Sequence, residues 1–202
     1  MGGHNAGDFA SKYCVQSVID YITNSNDVTT ISILDGAIKY ANKSLRKKSA
    51  EDETLEGMGT TMVAATVDDR RMIVANIGDS RLYVLNNQIK QITKDHSLVE
   101  IMVESGEINA EDARFHPNKN VVTRAIGGID DNACADFFEV DLNEGDIVLL
   151  CSDGLSNMLG DDEILQVVNS SSANLEEAAN NLIDTANGHG GKDNIAIILM
   201  KV

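Results

Sequence analysis

The chain has 202 residues, enough for one domain with a core of its own. Its 32 acidic against 16 basic residues give a net charge of -16, which argues against a nucleic-acid or anionic-membrane binder, since both need clustered Lys and Arg. Three scattered cysteines, Cys14, Cys134 and Cys151, lie among apolar neighbours and read as reduced core thiols of a cytoplasmic protein, and no apolar run is long enough to cross a bilayer.

In chain order, Met1-Gly2-Gly3-His4-Asn5-Ala6-Gly7 reads as a glycine-rich loop. Phe9, Ala10, Tyr13, Cys14, Val18 and Ile22 then recur at helical spacing, and Leu34, Ala37, Ile38, Ala41 and Leu45 form a second such stripe. Four strands are expected at 60–67, 72–77, 82–85 and 89–93, joined by Asp68-Asp69, Gly78-Asp79 and Asn86-Asn87 turns as an antiparallel meander. Residues 95–120 turn helical and polar around Pro117, the single proline, and strands resume at 121–126, 135–142 and 147–151. Helices follow at 162–168 and 175–186, the second opened by Asn174 with Glu177 three residues on, and the chain closes on a strand at 195–202. This order predicts an α+β layered sandwich of antiparallel sheets covered by helix pairs.

The chemistry is narrowed by exclusion. A cysteine-nucleophile phosphatase needs Arg six positions after its Cys, where this chain has Asp20, Val140 and Asn157. Gly188 to Asp193, GHGGKD, is no phosphate-binding P-loop, because Lys192 is followed by Asp193 and by a strand rather than a helix. His4, His96, His116 and His189 show no zinc-ligand spacing and read as surface or polar-network residues. What remains is a set of carboxylates at strand ends. Asp153 follows the five-residue apolar strand 147–151, with Gly154 expected to turn the backbone sharply past a bound ion; Asp193 precedes the last strand, and Asp95 follows Thr93-Lys94. Hard divalent cations such as Mg²⁺ or Mn²⁺ favour such oxygen donors.

Seven segments then carry a resemblance: MGGHNAG at 1–7, GMGTTMVAA at 57–65, ANIGDSRLYVL at 75–85, ITKDHSLV at 92–99, HPNKNVVTRAIGG at 116–128, LLCSDGLSNML at 149–159 and GGKDNIAIIL at 190–199. In order and spacing the chain resembles the metal-dependent protein phosphatases, the protein phosphatase 2C family, in its bacterial form. The resemblance implies a four-layer α-β-β-α sandwich of two antiparallel sheets, with Mg or Mn ions, two or three in the intact family, at one end. It implies hydrolysis of phosphoserine and phosphothreonine proteins by a metal-activated water, with no side-chain nucleophile. Asp153 and Asp193 match ligands of the first catalytic metal, Asp95 matches a carboxylate that with Asp153 holds a third and weaker metal, and residues 98–120 match a flap beside the cleft.

The family places Asp-Gly directly before the MGGH loop, and the Asp bridges the two catalytic metals. Here Met1 stands at the loop's start, so the expectation is an N-terminally truncated single domain over 1–202 that holds one ion weakly and turns over slowly. An uncovered sheet edge would favour self-association, and a Ser/Thr kinase is the expected functional partner. The alternative is a catalytically silent binding or regulatory module built on the same fold.

Overall fold

The computed structural model describes residues 6–128, 133–171 and 173–202; His4 and most of the glycine-rich segment at the start lie outside them. By density of internal contacts the chain forms two compact units. The first comprises Met1–Thr66, Ile73–Gly78 and Asp95–Phe138, and the second Val67–Met72, Asp79–Lys94 and Glu139–Val202.

In the first unit, α1 (Gly7–Asn24) and α2 (Thr30–Glu51) are the two amphipathic helices expected from their stripes. The Thr29 hydroxyl caps α2 by accepting from the Ser32 amide at 3.2 Å, satisfying one of the amides a helix start leaves unpaired. Ala10 and Cys14 of α1 and Leu34, Ile38, Ala41 and Leu45 of α2 bury their side chains with Met58, Ala75, Ile77 and Ile126 in one apolar cluster. Strands β1 (Met62–Asp68) and β2 (Arg71–Ile77) supply much of the sheet beneath it.

The expected four-strand meander divides between two sheets. β1 and β2 belong to a three-stranded sheet of order β1-β2-β5, whereas β3 (Arg81–Leu85) and β4 (Ile89–Gln91) join β6 (Ile147–Cys151) and β7 (Ile197–Lys201) in the order β4-β3-β6-β7. β5 is Asp136–Asp141. The break falls at Gly78, whose backbone at φ 113° takes a conformation that L side chains rarely adopt. The Gly78 amide donates to His96 Nδ1 at 3.1 Å and its carbonyl accepts from the His96 amide at 2.9 Å, so the chain is held where it leaves β2.

The strand expected at 121–126 is absent. Val122 pairs singly with Ser97 and Ile126 singly with Thr60, so its two ends face different segments and no ladder extends between them. Together with the Leu98 amide donating to the Val121 carbonyl at 2.8 Å, these contacts close the neck of the 98–120 segment, which holds α3 (Leu98–Glu104) and α4 (Ala110–Ala113).

In the second unit the four-stranded sheet is antiparallel throughout, with Tyr83 opposite Leu149 and Leu149 opposite Leu199. Residues after β6 form the one-turn helix α5 (Asp153–Ser156), followed by α6 (Asp161–Ser170) and α7 (Leu175–Gly188). Ile164 and Val168 of α6 and Leu182 and Ala186 of α7 cover Tyr83, Leu149 and Leu155. The Asn174 side chain caps α7 by accepting from the Glu176 and Glu177 amides at 3.1 and 3.3 Å, as the sequence indicated. The α+β class holds: two antiparallel sheets with flanking helices.

Burial separates the thiols. Cys14 and Cys151 are core thiols as expected, but Cys134 is exposed rather than in the core, and burial pushes the Cys14 thiol up to about 11. Because the thiolate is the reactive form, a disulfide reagent at pH 8 is expected to titrate Cys134 at once in the native chain. Cys14 and Cys151 should react only after denaturation, which absorbance of the released aryl thiolate reports.

Candidate metal-binding site

Strand β6 is built from buried Ile147, Val148, Leu149 and Cys151, with the chain emerging at Ser152 in extended conformation. Leu155 and Leu159, both within the core, then fasten the following turn, so Asp153 leaves the sheet between two anchored stretches. Its Oδ2 accepts from Asn157 Nδ2 at 3.2 Å, one helical turn on, and its carbonyl accepts from the Asn157 amide at 2.8 Å.

Asp193 arrives from the other side. After α7 the chain passes His189, Gly190 and Gly191, the glycines at φ 122° and 49°, and reaches Asp193, whose Oδ1 accepts from the Asn194 amide at 2.7 Å. His189 steadies the departure from α7: its Nε2 lies 3.3 Å from Glu163 Oε1 and its Nδ1 3.2 Å from the Met158 carbonyl oxygen.

The register of β6 and β7 brings these two stretches together. Cys151 stands opposite Ile197, and one step further out Ser152 and Ala196 bond each other. The Ser152 amide donates to the Ala196 carbonyl at 3.0 Å and the Ala196 amide donates to Ser152 Oγ at 3.0 Å. Ser152 Oγ in turn donates to the Asn194 carbonyl at 3.2 Å. Residues 152–154 therefore run alongside 194–196, and Asp153 and Asp193 each belong to, or adjoin, that junction.

Gly154 serves differently from its expected role. It sits inside α5 rather than in a left-handed turn, and the constraint is space: a Cβ there would lie 2.3 Å from the Asn194 carbonyl oxygen. Close approach of two backbones, not a sharp bend, requires glycine at this position.

Asp95 lies in the first unit, partly buried, directly before His96. His96, read from the sequence as a surface or polar-network residue, is the centre of such a network, whose other members the sequence did not indicate. With Nδ1 accepting from Gly78, its Nε2 carries the proton and donates to Asp136 Oδ2 at 3.1 Å, while Arg124 Nη1 donates to Asp136 Oδ1 at 2.8 Å. Burial pushes the Asp136 carboxyl up, but the hydrogen bonds from His96 and Arg124 and the charge of the Arg124 guanidinium outweigh it and hold the carboxyl below its ordinary range.

A depressed carboxyl stabilises the fold above the unfolded-state value, about 3.9, and that contribution disappears as pH falls through the folded-state value. Asp136→Asn is therefore expected to cost about 1 kcal/mol at neutral pH. The gap between variant and parent should close below about pH 4, as urea melts at the two pH values would show.

The donor set fits a hard divalent cation, since carboxylate oxygen is its preferred ligand. Among the described residues, however, no three or more of His, Cys, Asp and Glu gather into a ready-made cage. The sequence singled out Asp153 and Asp193; it did not single out Ser152, Asn157 and Asn194, which bond to them or join their two stretches. Asn157 could have been read from its four-residue spacing to Asp153 once a helix was assigned there; Ser152 and Asn194 become visible only through the strand register.

Comparison with known proteins concerns the chain as a whole. The family model described as Protein phosphatase 2C matches residues 2–195. Serine/threonine phosphatase stp of Listeria monocytogenes serotype 4b is 40% identical over 206 residues, which cover 100% of this chain and 81% of that protein. Protein phosphatase PhpP of Streptococcus pneumoniae is 36% identical, with 100% of this chain and 82% of the relative covered. Among solved structures, serine/threonine phosphatase Stp1 from Staphylococcus aureus superposes with a TM-score of 0.93 at 36% identity, covering 100% of this chain and 80% of that one. The catalytic domain of the serine threonine protein phosphatase PstP in complex with two manganese ions superposes at 0.85 with 32% identity, covering 98% and 83%.

Proposed function

Since the chain belongs to the protein phosphatase 2C family, we propose that it is a metal-dependent protein serine/threonine phosphatase, with Asp153 and Asp193 as ligands of a catalytic Mg²⁺ or Mn²⁺ and Asp95 as ligand of a weaker one. The observation that carries the site assignment is the junction of residues 152–154 with 194–196, which delivers two carboxylate-bearing loops to one end of the second sheet. Relatives named as serine/threonine phosphatases, and one solved with manganese, support the same reading.

Asp153 and Asp193 would hold the ion through oxygen. When bound, such an ion lowers the pKa of water and offsets charge on phosphoryl oxygens. The protein's share is orientation: the Asn157 amide fixes Asp153, and the Asn194 amide fixes Asp193. With no group of three or more His, Cys, Asp and Glu among the described residues, two carboxylates favour a single, weakly held ion that keeps several waters.

The test is release of inorganic phosphate from phosphoserine and phosphothreonine peptides with added Mn²⁺. Release is expected to stop on chelation with EDTA and to be far slower from a phosphotyrosine peptide. Release that survives chelation, or that favours phosphotyrosine, would overturn the assignment. Mn²⁺ binding without any release would instead favour a phosphoprotein-binding module.

The finer context follows from the same reading. A Ser/Thr kinase would generate the phosphoproteins consumed here. Three cysteines without a disulfide fit a reducing cytoplasm, and among the described residues no helix is long and apolar enough to cross a membrane. β7 ends its sheet and Ile198 on it is 63% exposed, so pairing of two copies along this edge is the expected route of self-association. Sedimentation showing only monomer at high concentration would exclude that route.

A further inference from the structure

One backbone carbonyl, that of Asn194, is approached from two sides by the chain that carries Asp153. The Ser152 hydroxyl donates to it at 3.2 Å, and Gly154 lies so close that any side chain there would meet the oxygen at 2.3 Å. Asn194 itself adjoins Asp193, and its amide is bonded to Asp193 Oδ1. Asp153 thus stands between the two residues that touch Asn194, and Asp193 is covalently next to what they touch.

From this we propose that Ser152 is a positioning residue: its hydroxyl, with the bare Gly154 backbone, grips the Asn194 carbonyl and sets the spacing of the Asp153 and Asp193 carboxylates before any cation arrives. The proposal rests on the metal assignment made above. Ordinary ladder pairing does not supply this constraint. The β6–β7 ladder ends with Cys151 opposite Ile197, and one step beyond it the Ser152 amide still donates to the Ala196 carbonyl at 3.0 Å, but the link onward to Asn194 comes from a side chain. The Ser152 hydroxyl is that link, because its single oxygen accepts from the Ala196 amide and donates to the Asn194 carbonyl, joining two residues of the Asp193 loop to one residue of the Asp153 loop.

The physical gain is preorganisation. Two like charges held near each other in the absence of an ion repel, and a loop free to move would separate them. A cation would then have to draw them back together at the expense of its own binding energy. Groups that orient metal ligands in this way commonly change metal affinity by about 10–100-fold when removed.

The experiment measures Mn²⁺ affinity of the 202-residue chain by the loss of the free-ion electron paramagnetic resonance signal, alongside thermal melts. Ser152→Ala is expected to raise the Mn²⁺ Kd about 10-fold. Ser152→Thr, which keeps the hydroxyl, should stay within about twofold of the parent. Hydrogen exchange supplies a second readout: the Ala196 amide, deprived of its acceptor, should exchange faster in Ser152→Ala while amides within the β3–β6 ladder do not. Raising Mn²⁺ to saturation should restore the turnover of Ser152→Ala, which lost folding would not allow. Unchanged Mn²⁺ affinity in Ser152→Ala beside a clear loss in Asp153→Asn overturns the pin and leaves the metal assignment standing. Unchanged affinity in Asp153→Asn overturns both. Equal losses in Ser152→Ala and Ser152→Thr would also sink the pin, since the hydroxyl would then not be the agent.

Discussion

Replacing Asp153 by Asn is expected to leave the melting temperature nearly unchanged and to lower Mn²⁺-dependent phosphate release at least about 100-fold. The carboxylate stands at the first turn of α5 and accepts from Asn157 Nδ2, a bond that the amide oxygen of an isosteric Asn can also accept. What it cannot supply is charge. Affinity of an oxygen site for a divalent cation follows the number of charged ligands, and one of two is a large share. Asp193→Asn should behave alike, and the double variant should lose little more than either single one, because two ligands of one ion act as a unit. Losses that multiplied independently, measured as phosphate release against Mn²⁺ concentration, would show that the two carboxylates serve separate sites.

A Gly154→Ala chain should lower the melting temperature by about 6–12 °C, corresponding to about 3 kcal/mol in a protein of this size. The added methyl would lie 2.3 Å from the Asn194 carbonyl oxygen and 2.9 Å from its carbon. Both are backbone atoms, so no side chain can rotate away, and relief requires that the 152–154 and 194–196 stretches separate. Leu155 and Leu159 tie one stretch to the core and the β6–β7 ladder ties the other, which places the cost at the upper end for overpacking. Mn²⁺ affinity should fall with stability in this variant, in contrast to Asp153→Asn, where only affinity falls. A Gly154→Ala chain that melts like its parent would mean that the two backbones are not in fact pressed together.

Much of the fold was legible because its elements carry local signals. The stripes of α1 and α2, the apolar run Ile147–Cys151 and the Asn174 cap are all set by neighbours within a few residues, and each appeared where expected. The errors lie where a distant partner decides. Residues 121–126 have strand composition, yet Ser97 and Thr60 claim opposite ends of the segment. The four early strands look like one meander until Gly78 redirects the chain into a second sheet. The site shows the same division. Asp153 and Asp193 were visible as carboxylates at strand ends, whereas Ser152 and Asn194 acquire their roles only from the pairing of β6 with β7. Gly154 was noticed for a bend it does not make. The His96, Arg124 and Asp136 cluster spans three segments of the first unit and has no signature in any one of them.

On the metal assignment proposed above, the pairing of β6 with β7 also sets when cation binding can begin during synthesis. Cys151 and Ile197 are partners across a long stretch that includes three helices, so a nascent polypeptide on the ribosome can finish β6, α5, α6 and α7 and still have Asp153 without its counterpart. Closing so large a loop is an entropically late event. Metal added to ribosome-stalled chains should therefore be captured only after β7 has cleared the exit tunnel, so that ion uptake follows the β6–β7 pairing rather than templating it.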